Sequence, residues 1–252
     1  MPEYRWKELR YIMGYNHKSE PIINAPTVVV VVLSVLTALH ALRFWGPPLW
    51  DRELLTYLAL YPYRLGPDGG DVPGGYIIGF TSLATHALLH GDWVHLVMNC
   101  AWLLAFGAMV ARRTSAAGFL LLFVLCAVAG GLTYVAVNGF SQTIVVGVSG
   151  AVSGLMGCVF RLIFAARYAG GMGSLQRHPL EVPRMPLAMA FKHRETMIAF
   201  WIWIVMNLLL GLAGPNLFGG GGIAWEAHLG GFLAGFLFFG AFDRGRGWVW
   251  ST

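Results

Sequence analysis

The chain has 252 residues, 57% of them hydrophobic and only 12% charged, with a net charge of +5 and a mean hydropathy of +0.62. A water-soluble domain of this size has too little interior to hide so much apolar surface, and so sparse a charged shell would not keep it in solution. The composition predicts a membrane protein, and the modest positive charge follows from topology and anionic lipid heads without a nucleic-acid partner.

Residues 1–25 are polar and read as a tail. The first apolar run, Thr27–Trp45, lacks a small-residue cleavage site and reads as an anchor that stays in the bilayer. In the following stretch "PLWDRELLTYLALYPYRLG", Trp50, Leu54, Leu58 and Tyr61 recur near helical spacing, which predicts an interfacial helix lying on the membrane. The second span covers Val94–Val110 and is expected to extend outward to Thr85, although His86, His90, Asp92 and His95 depress its hydropathy. Further spans are expected at Ala116–Val137, Ser149–Ala166, Met197–Leu212 and Ala224–Phe242. Between the fourth and fifth lies Gly170–Glu195, with prolines and basic residues, expected as a solvated connector. Before the sixth, "GPNLFGGGGIAWEA" carries Gly219 to Gly222 in succession, expected as a loosely constrained lip that suits lateral entry of a helix. The short alternating segments of a β-barrel are absent. The reading is an all-α membrane protein: a six-span core over residues 26–243 between tails 1–25 and 244–252.

An even number of spans puts both termini on one side. Of the 17 lysines and arginines, only Arg43, Arg52 and Arg64 fall on the opposite side. The positive-inside rule therefore places both termini in the cytoplasm, as in a bacterial inner membrane. Cys100, Cys126 and Cys158 lie inside spans at no metal-ligand spacing and read as packing residues.

Polar groups inside spans mark function, because burying them in lipid is costly. "GVSGAVSGLMG" opens the fourth span with Ser149 and Ser153 among glycines, and Gly150 and Gly154 form a GxxxG pair matched by Gly231 and Gly235 in "GGFLAG". Small residues at that spacing let helices approach closely, so the stretch taken alone reads as a packing face. Its context changes the reading. "THALLHGDWVHLVMNC" carries His86, His90, His95 and Asn99, and "WEAHLGG" carries His228. Alternation of the spans brings Ser149, His228 and the pair His95 and Asn99 to similar depth near the outer side.

Hydrolysis gives each a task. A serine hydroxyl becomes a nucleophile when a neutral histidine takes its proton. Gly147 and Gly150 let a peptide backbone approach Ser149, and amides at the start of a helix lack partners, so they can stabilise an oxyanion. His95 and Asn99, four residues apart, share a helix face and can donate to the same oxygen. Other designs fit less well. Lys7, Lys18 and Lys192 lie outside the spans, which removes a serine–lysine dyad, and no two aspartates sit within spans. His86 and His90 have the i, i+4 spacing of two zinc ligands, but "HALLH" lacks the glutamate of a metalloprotease helix. Glu226, two residues before His228, points elsewhere on a continuous helix, so a two-residue dyad remains.

"GVSG" in the fourth span, "HLVMN" in the second and "AHLGGFLAG" in the sixth resemble the rhomboid family of intramembrane serine proteases over roughly Thr27 to Phe242. The resemblance implies a six-transmembrane-helix bundle in which Ser149 is nucleophile and His228 general base. It implies an oxyanion hole of His95, Asn99 and the Ser149 amide, with His86 holding the loop between the first two spans and His90 in the same polar network. It implies transmembrane protein substrates met in the lipid bilayer, with no metal or other cofactor. A non-cutting, client-binding relative is the alternative, and such a protein would lack the serine or the histidine. Two departures stand out. Ser153 occupies the position where many members carry a tyrosine that packs on the catalytic histidine. Thr81 and Ser82 stand where many carry Trp-Arg, a pair for which Trp50 and Arg52 are possible substitutes.

Topology is tested in intact cells with a membrane-impermeant thiol reagent. A cysteine placed within Gly170–Glu195 should be shielded and one placed among Gly219–Gly222 labelled; the reverse pattern overturns the orientation.

Overall fold

The structure, a computed structural model, describes residues 25–217 and 222–245. Most of the predicted N-terminal tail, the lip glycines Gly219 to Gly221 and the chain beyond residue 245 lie outside the described residues. Ten helices are used below. They are α1 (Thr27–Trp45), α2 (Pro48–Leu58), α3 (Gly75–Thr85), α4 (Trp93–Ala111), α5 (Ala116–Asn138), α6 (Ser149–Ala166), α7 (Met172–Arg177), α8 (Leu187–Ala190), α9 (Arg194–Leu217) and α10 (Trp225–Phe242). Six of them, α1, α4, α5, α6, α9 and α10, are long and apolar enough to cross a membrane.

Local chemistry sets the boundaries. Pro26 precedes α1 in an extended conformation, and Pro48 opens α2, where its missing N–H costs nothing. None of the α2 residues is buried, as expected of a peripheral helix, and Tyr61 falls beyond its end. The second span does not reach Thr85. After α3 the chain makes one 3-10 turn, His86–Leu88, and then runs extended until Asp92 caps α4 by accepting the His95 amide at 2.8 Å. With eleven residues, α3 is too short to cross by itself. The fifth spanning helix is longer than expected, running from Arg194 to Leu217.

At the centre stands α6, 72% buried, whereas the apolar stretch of α9 is only 11% buried and sits at the edge. Glycines place α6 against α10. A methyl group on Gly231 would overlap the Gly150 carbonyl, and one on Gly235 would overlap the Gly154 carbonyl. Gly157 faces the Phe232 carbonyl as closely, and Gly130 of α5 lies under the Ala227 carbonyl. Backbone thus meets backbone along the seam, an approach only glycine permits.

The loop from Gly139 to Val148, which leads into α6, is fastened to the opposite loops. Tyr63 donates its amide to the Ser141 carbonyl, Leu60 and Val145 exchange two backbone hydrogen bonds, and Gly147 donates to the His86 carbonyl at 3.0 Å.

At the other end of the bundle, Gly170–Glu195 is not a solvated connector. Val182, Met185 and Ala190 are buried, and α7 and α8 interrupt the loop. Arg161 donates to the Met185 and Phe236 carbonyls, both at 3.0 Å. Fully buried Arg113 pairs with Asp243 at 2.7 Å and also donates to the Pro179 and Val182 carbonyls, while Arg184 reaches the same carboxylate at 2.9 Å. A buried charge left alone costs about 3–5 kcal/mol, so the loop folds inward to satisfy these arginines.

Gly235→Ala should lower stability by about 1–3 kcal/mol, the usual cost of overpacking a tight interface. Gly91→Ala, whose methyl group would meet only the His95 ring at 3.8 Å, should cost much less. Detergent unfolding curves of the two variants check this, and equal losses would deny the seam its role.

Candidate active site

Ser149 is the first residue of α6, and no side chain caps the start of that helix. The amides of its first turn have no acceptor within the helix and lie at a largely buried end, an arrangement that needs a partner. The preceding Gly147 has φ +128°, a conformation that suits glycine. A methyl group on Gly147 would lie 2.9 Å from Cε1 and Nε2 of His95 and 3.7 Å from the Ser149 hydroxyl. Gly147 therefore keeps open one small space that the His95 ring and the Ser149 hydroxyl share.

The proton on His95 can be placed from its neighbours. The Gly91 amide donates to His95 Nδ1 at 3.5 Å, so that nitrogen carries the lone pair and Nε2 carries the hydrogen. The nitrogen beside Gly147 is thus a donor. Asn99, one turn on and buried, gives one amide hydrogen to the His95 carbonyl at 3.0 Å, which leaves the other for a ligand.

His228 lies in the first turn of α10, next to Ala227, whose carbonyl would be 3.2 Å from a methyl group on Gly150. That packing brings the start of α10 alongside the start of α6. Among the described residues no hydrogen bond joins Ser149 to His228. His228 Nδ1 instead bonds Asn207 Oδ1 on α9 at 2.9 Å, and Asn207 Nδ2 donates to the Trp225 carbonyl at 2.9 Å. The sequence reading passed over Asn207. Its signal was a single amide within the apolar run "FWIWIVMNLLLG", where a polar side chain is expensive.

The supporting residues differ in what they do. The His86 ring bonds the Ser82 carbonyl at 3.0 Å and its own carbonyl holds Gly147, so it braces the loop before α6. Burial pushes the His86 pKa below the usual histidine value. His90 is fully buried, edge-on to His95 with ring centres 5.2 Å apart, and both its ring nitrogens lack partners among the described residues. Its carbonyl accepts from Arg43 at 2.6 Å, and Arg43 also pairs with Asp51 of α2 at 2.7 Å. Arg43, rather than Trp50 or Arg52, thus ties the outer loop to the site. His86 and His90 do not share a helix, so the i, i+4 geometry of a zinc pair is absent. Ser153 is buried in α6, one turn deeper than Ser149.

Membrane-length helices that converge on a serine, two histidines and an uncapped buried helix start define a rhomboid-like bundle. The chain matches the family model of the rhomboid domain over residues 79–243, well over half its length, and it belongs to the rhomboid family. It is accordingly a multi-pass membrane protein. It is also 30% identical over 126 residues to the rhomboid protease GlpG of Haemophilus influenzae, a match covering 50% of this chain and 59% of that protein.

Acid should loosen the polar cluster beside the site. Burial depresses the His90 pKa to about 3 from the 6.5 of an exposed histidine. The unfolded chain therefore binds a proton that the folded one refuses, and stability present above pH 6.5 is lost as the pH falls toward 3. The unfolding temperature in detergent should drop between pH 7 and pH 4, and His90→Leu should reduce the drop. An unchanged acid loss in that variant would refute the assignment.

Proposed function

We propose that the chain is an intramembrane serine endopeptidase that cuts transmembrane segments of other membrane proteins through Ser149 and His228. The observation that carries this reading is the shared space at Gly147, where the Ser149 hydroxyl, the donor nitrogen of His95 and the uncapped start of α6 meet. Family membership and the similarity to a named rhomboid protease support it.

In this mechanism His228 Nε2 takes the Ser149 proton as the oxygen attacks the scissile carbonyl. The oxyanion is met by the His95 Nε2 hydrogen, the second Asn99 amide hydrogen and the Ser149 amide. Collapse breaks the C–N bond, His228 returns its proton to the leaving amine, and water then releases the acyl-enzyme by the same steps. Gly147 and Gly150 leave room for the substrate backbone. Residues 26–243 form the working core, with the tails 1–25 and 244–252 in the cytoplasm and the active site open to the opposite side. The remaining alternative is a client-binding protein that does not cut.

A fluorophosphonate probe distinguishes the two serines as well as the two functions. It should label the wild type and Ser153→Ala but neither Ser149→Ala nor His228→Ala, and cleavage of a labelled transmembrane substrate should follow suit. Removing one oxyanion donor, as in Asn99→Ala, should slow cleavage by about 100- to 1,000-fold, or less where the other donors compensate. Cleavage by Ser149→Ala but not Ser153→Ala would move the nucleophile one turn inward. A wild type that is neither labelled nor active would favour the client-binding reading.

A further inference from the structure

The histidine beside the serine has an orienting partner on a third helix. Asn207 Oδ1 lies 2.9 Å from His228 Nδ1, and Asn207 Nδ2 lies 2.9 Å from the Trp225 carbonyl oxygen. A carbonyl only accepts, so the group facing Trp225 must be the amide NH2. That fixes the amide orientation and turns the amide oxygen, itself only an acceptor, toward the histidine. Nδ1 must therefore carry the hydrogen, which leaves the lone pair of a neutral ring on Nε2.

Asn207 is itself held in place. It is buried, and it lies midway between Trp203 and Gly211, which are four residues away on either side and share its helix face. Trp203 stacks on Phe232 of α10 with ring centres 4.2 Å apart. A methyl group on Gly211 would run into the Trp225 ring. Packing one turn to each side thus sets the register of α9 against α10, and the amide between them is delivered to His228. At Ser153, one turn after Ser149, no aromatic side chain is available to pack on the histidine.

We infer that Asn207 is a positioning residue that holds His228 in the Nδ1–H tautomer with Nε2 free to accept the Ser149 proton, so that the site works as a Ser149–His228–Asn207 triad. The inference rests on the proteolytic reading for its consequence, but the tautomer itself is independent of any activity. An asparagine in this role is chemically sufficient, because it must only accept one hydrogen bond and restrict ring rotation.

The experiment reads the tautomer directly, by nitrogen NMR of 15N-histidine-labelled protein in detergent at pH 8, with the His228 resonances identified by their loss in His228→Ala. The wild type should show a protonated Nδ1 and an unprotonated Nε2 at His228. In Asn207→Leu, a size-matched change in an apolar helix, that preference should be lost. In parallel, kcat on a transmembrane substrate should fall roughly ten- to thousand-fold, up to the contribution of a general base, with KM little changed. A wild-type His228 protonated on Nε2 overturns the inference without any variant, and so does a tautomer or kcat unmoved in folded Asn207→Leu. Full cleavage by Ser149→Ala would instead refute the proteolytic reading while leaving the tautomer assignment to the NMR.

Discussion

Everything at this site depends on how closely α6 and α10 approach. Side chains normally hold packed helices 8–10 Å apart. Here Gly231 lies under the Gly150 carbonyl and Gly235 under the Gly154 carbonyl, so the interface is made of backbone. Lipid tails are as apolar as leucine and give no hydrophobic drive to association, which leaves dispersion between close surfaces as the main attraction. Such an interface tolerates little sliding. The seam runs up to Gly150 and Ala227, which adjoin Ser149 and His228, so one set of contacts joins the helices and brings the proposed nucleophile and its proposed base to the same end of the seam.

Around this rigid pair, the remaining parts of the site are brought in by chain segments rather than by long helices. The break between α3 and α4 lets Asp92 cap α4 and turn His95 toward Gly147. At the same break the His86 carbonyl accepts the amides of both Leu89 and Gly147. A continuous helix from Thr85 would have satisfied the His95 amide internally and left no place for the Asp92 cap. The far end is treated differently. There Arg113, Arg161, Arg184 and Asp243 bind a long loop to the bundle through buried charge-assisted hydrogen bonds, and among the described residues no comparable cluster lies beside Ser149. At the Ser149 end the polar side chains bond mainly to backbone carbonyls and amides, and the ion pair of Arg43 with Asp51 lies in the outer loop.

Much of this was legible in the sequence, and the exceptions have physical causes. Long apolar runs are a strong signal, so all six spans were predicted, with Thr27–Trp45 and Ser149–Ala166 identical in both readings and the fifth drawn too short at both ends. Ser149, His95, Asn99 and His228 stood out because polar groups are rare in lipid. The extension of the second span to Thr85 failed because hydropathy does not register a capping aspartate. The connector was misjudged because prolines and arginines suggest exposure, whereas these arginines find carbonyls and a carboxylate inside. His86 and His90 were read as one helical pair, and the break separated them. Asn207 was missed for a different reason: Asn99 lies one turn from His95, whereas Asn207 stands alone in an apolar run with no polar neighbour on its own helix face. Its partner is 21 residues away on another helix, so no spacing rule connects them.

The distribution of these groups over helices of unequal anchorage has a consequence. Ser149 belongs to α6, His95 and Asn99 to α4, and His228 to α10, which is sewn to α6 along its length. Asn207 alone sits on α9, the helix with the least buried surface. Rotation of the His228 ring is therefore governed by the most weakly held spanning helix, through one hydrogen bond and two flanking aromatic contacts. A shift of α9 of an ångström or two would break a 2.9 Å bond while leaving the α6–α10 seam unchanged. The fold separates the placement of Ser149, which is fixed by backbone contact, from the orientation of the His228 ring, which follows the position of α9.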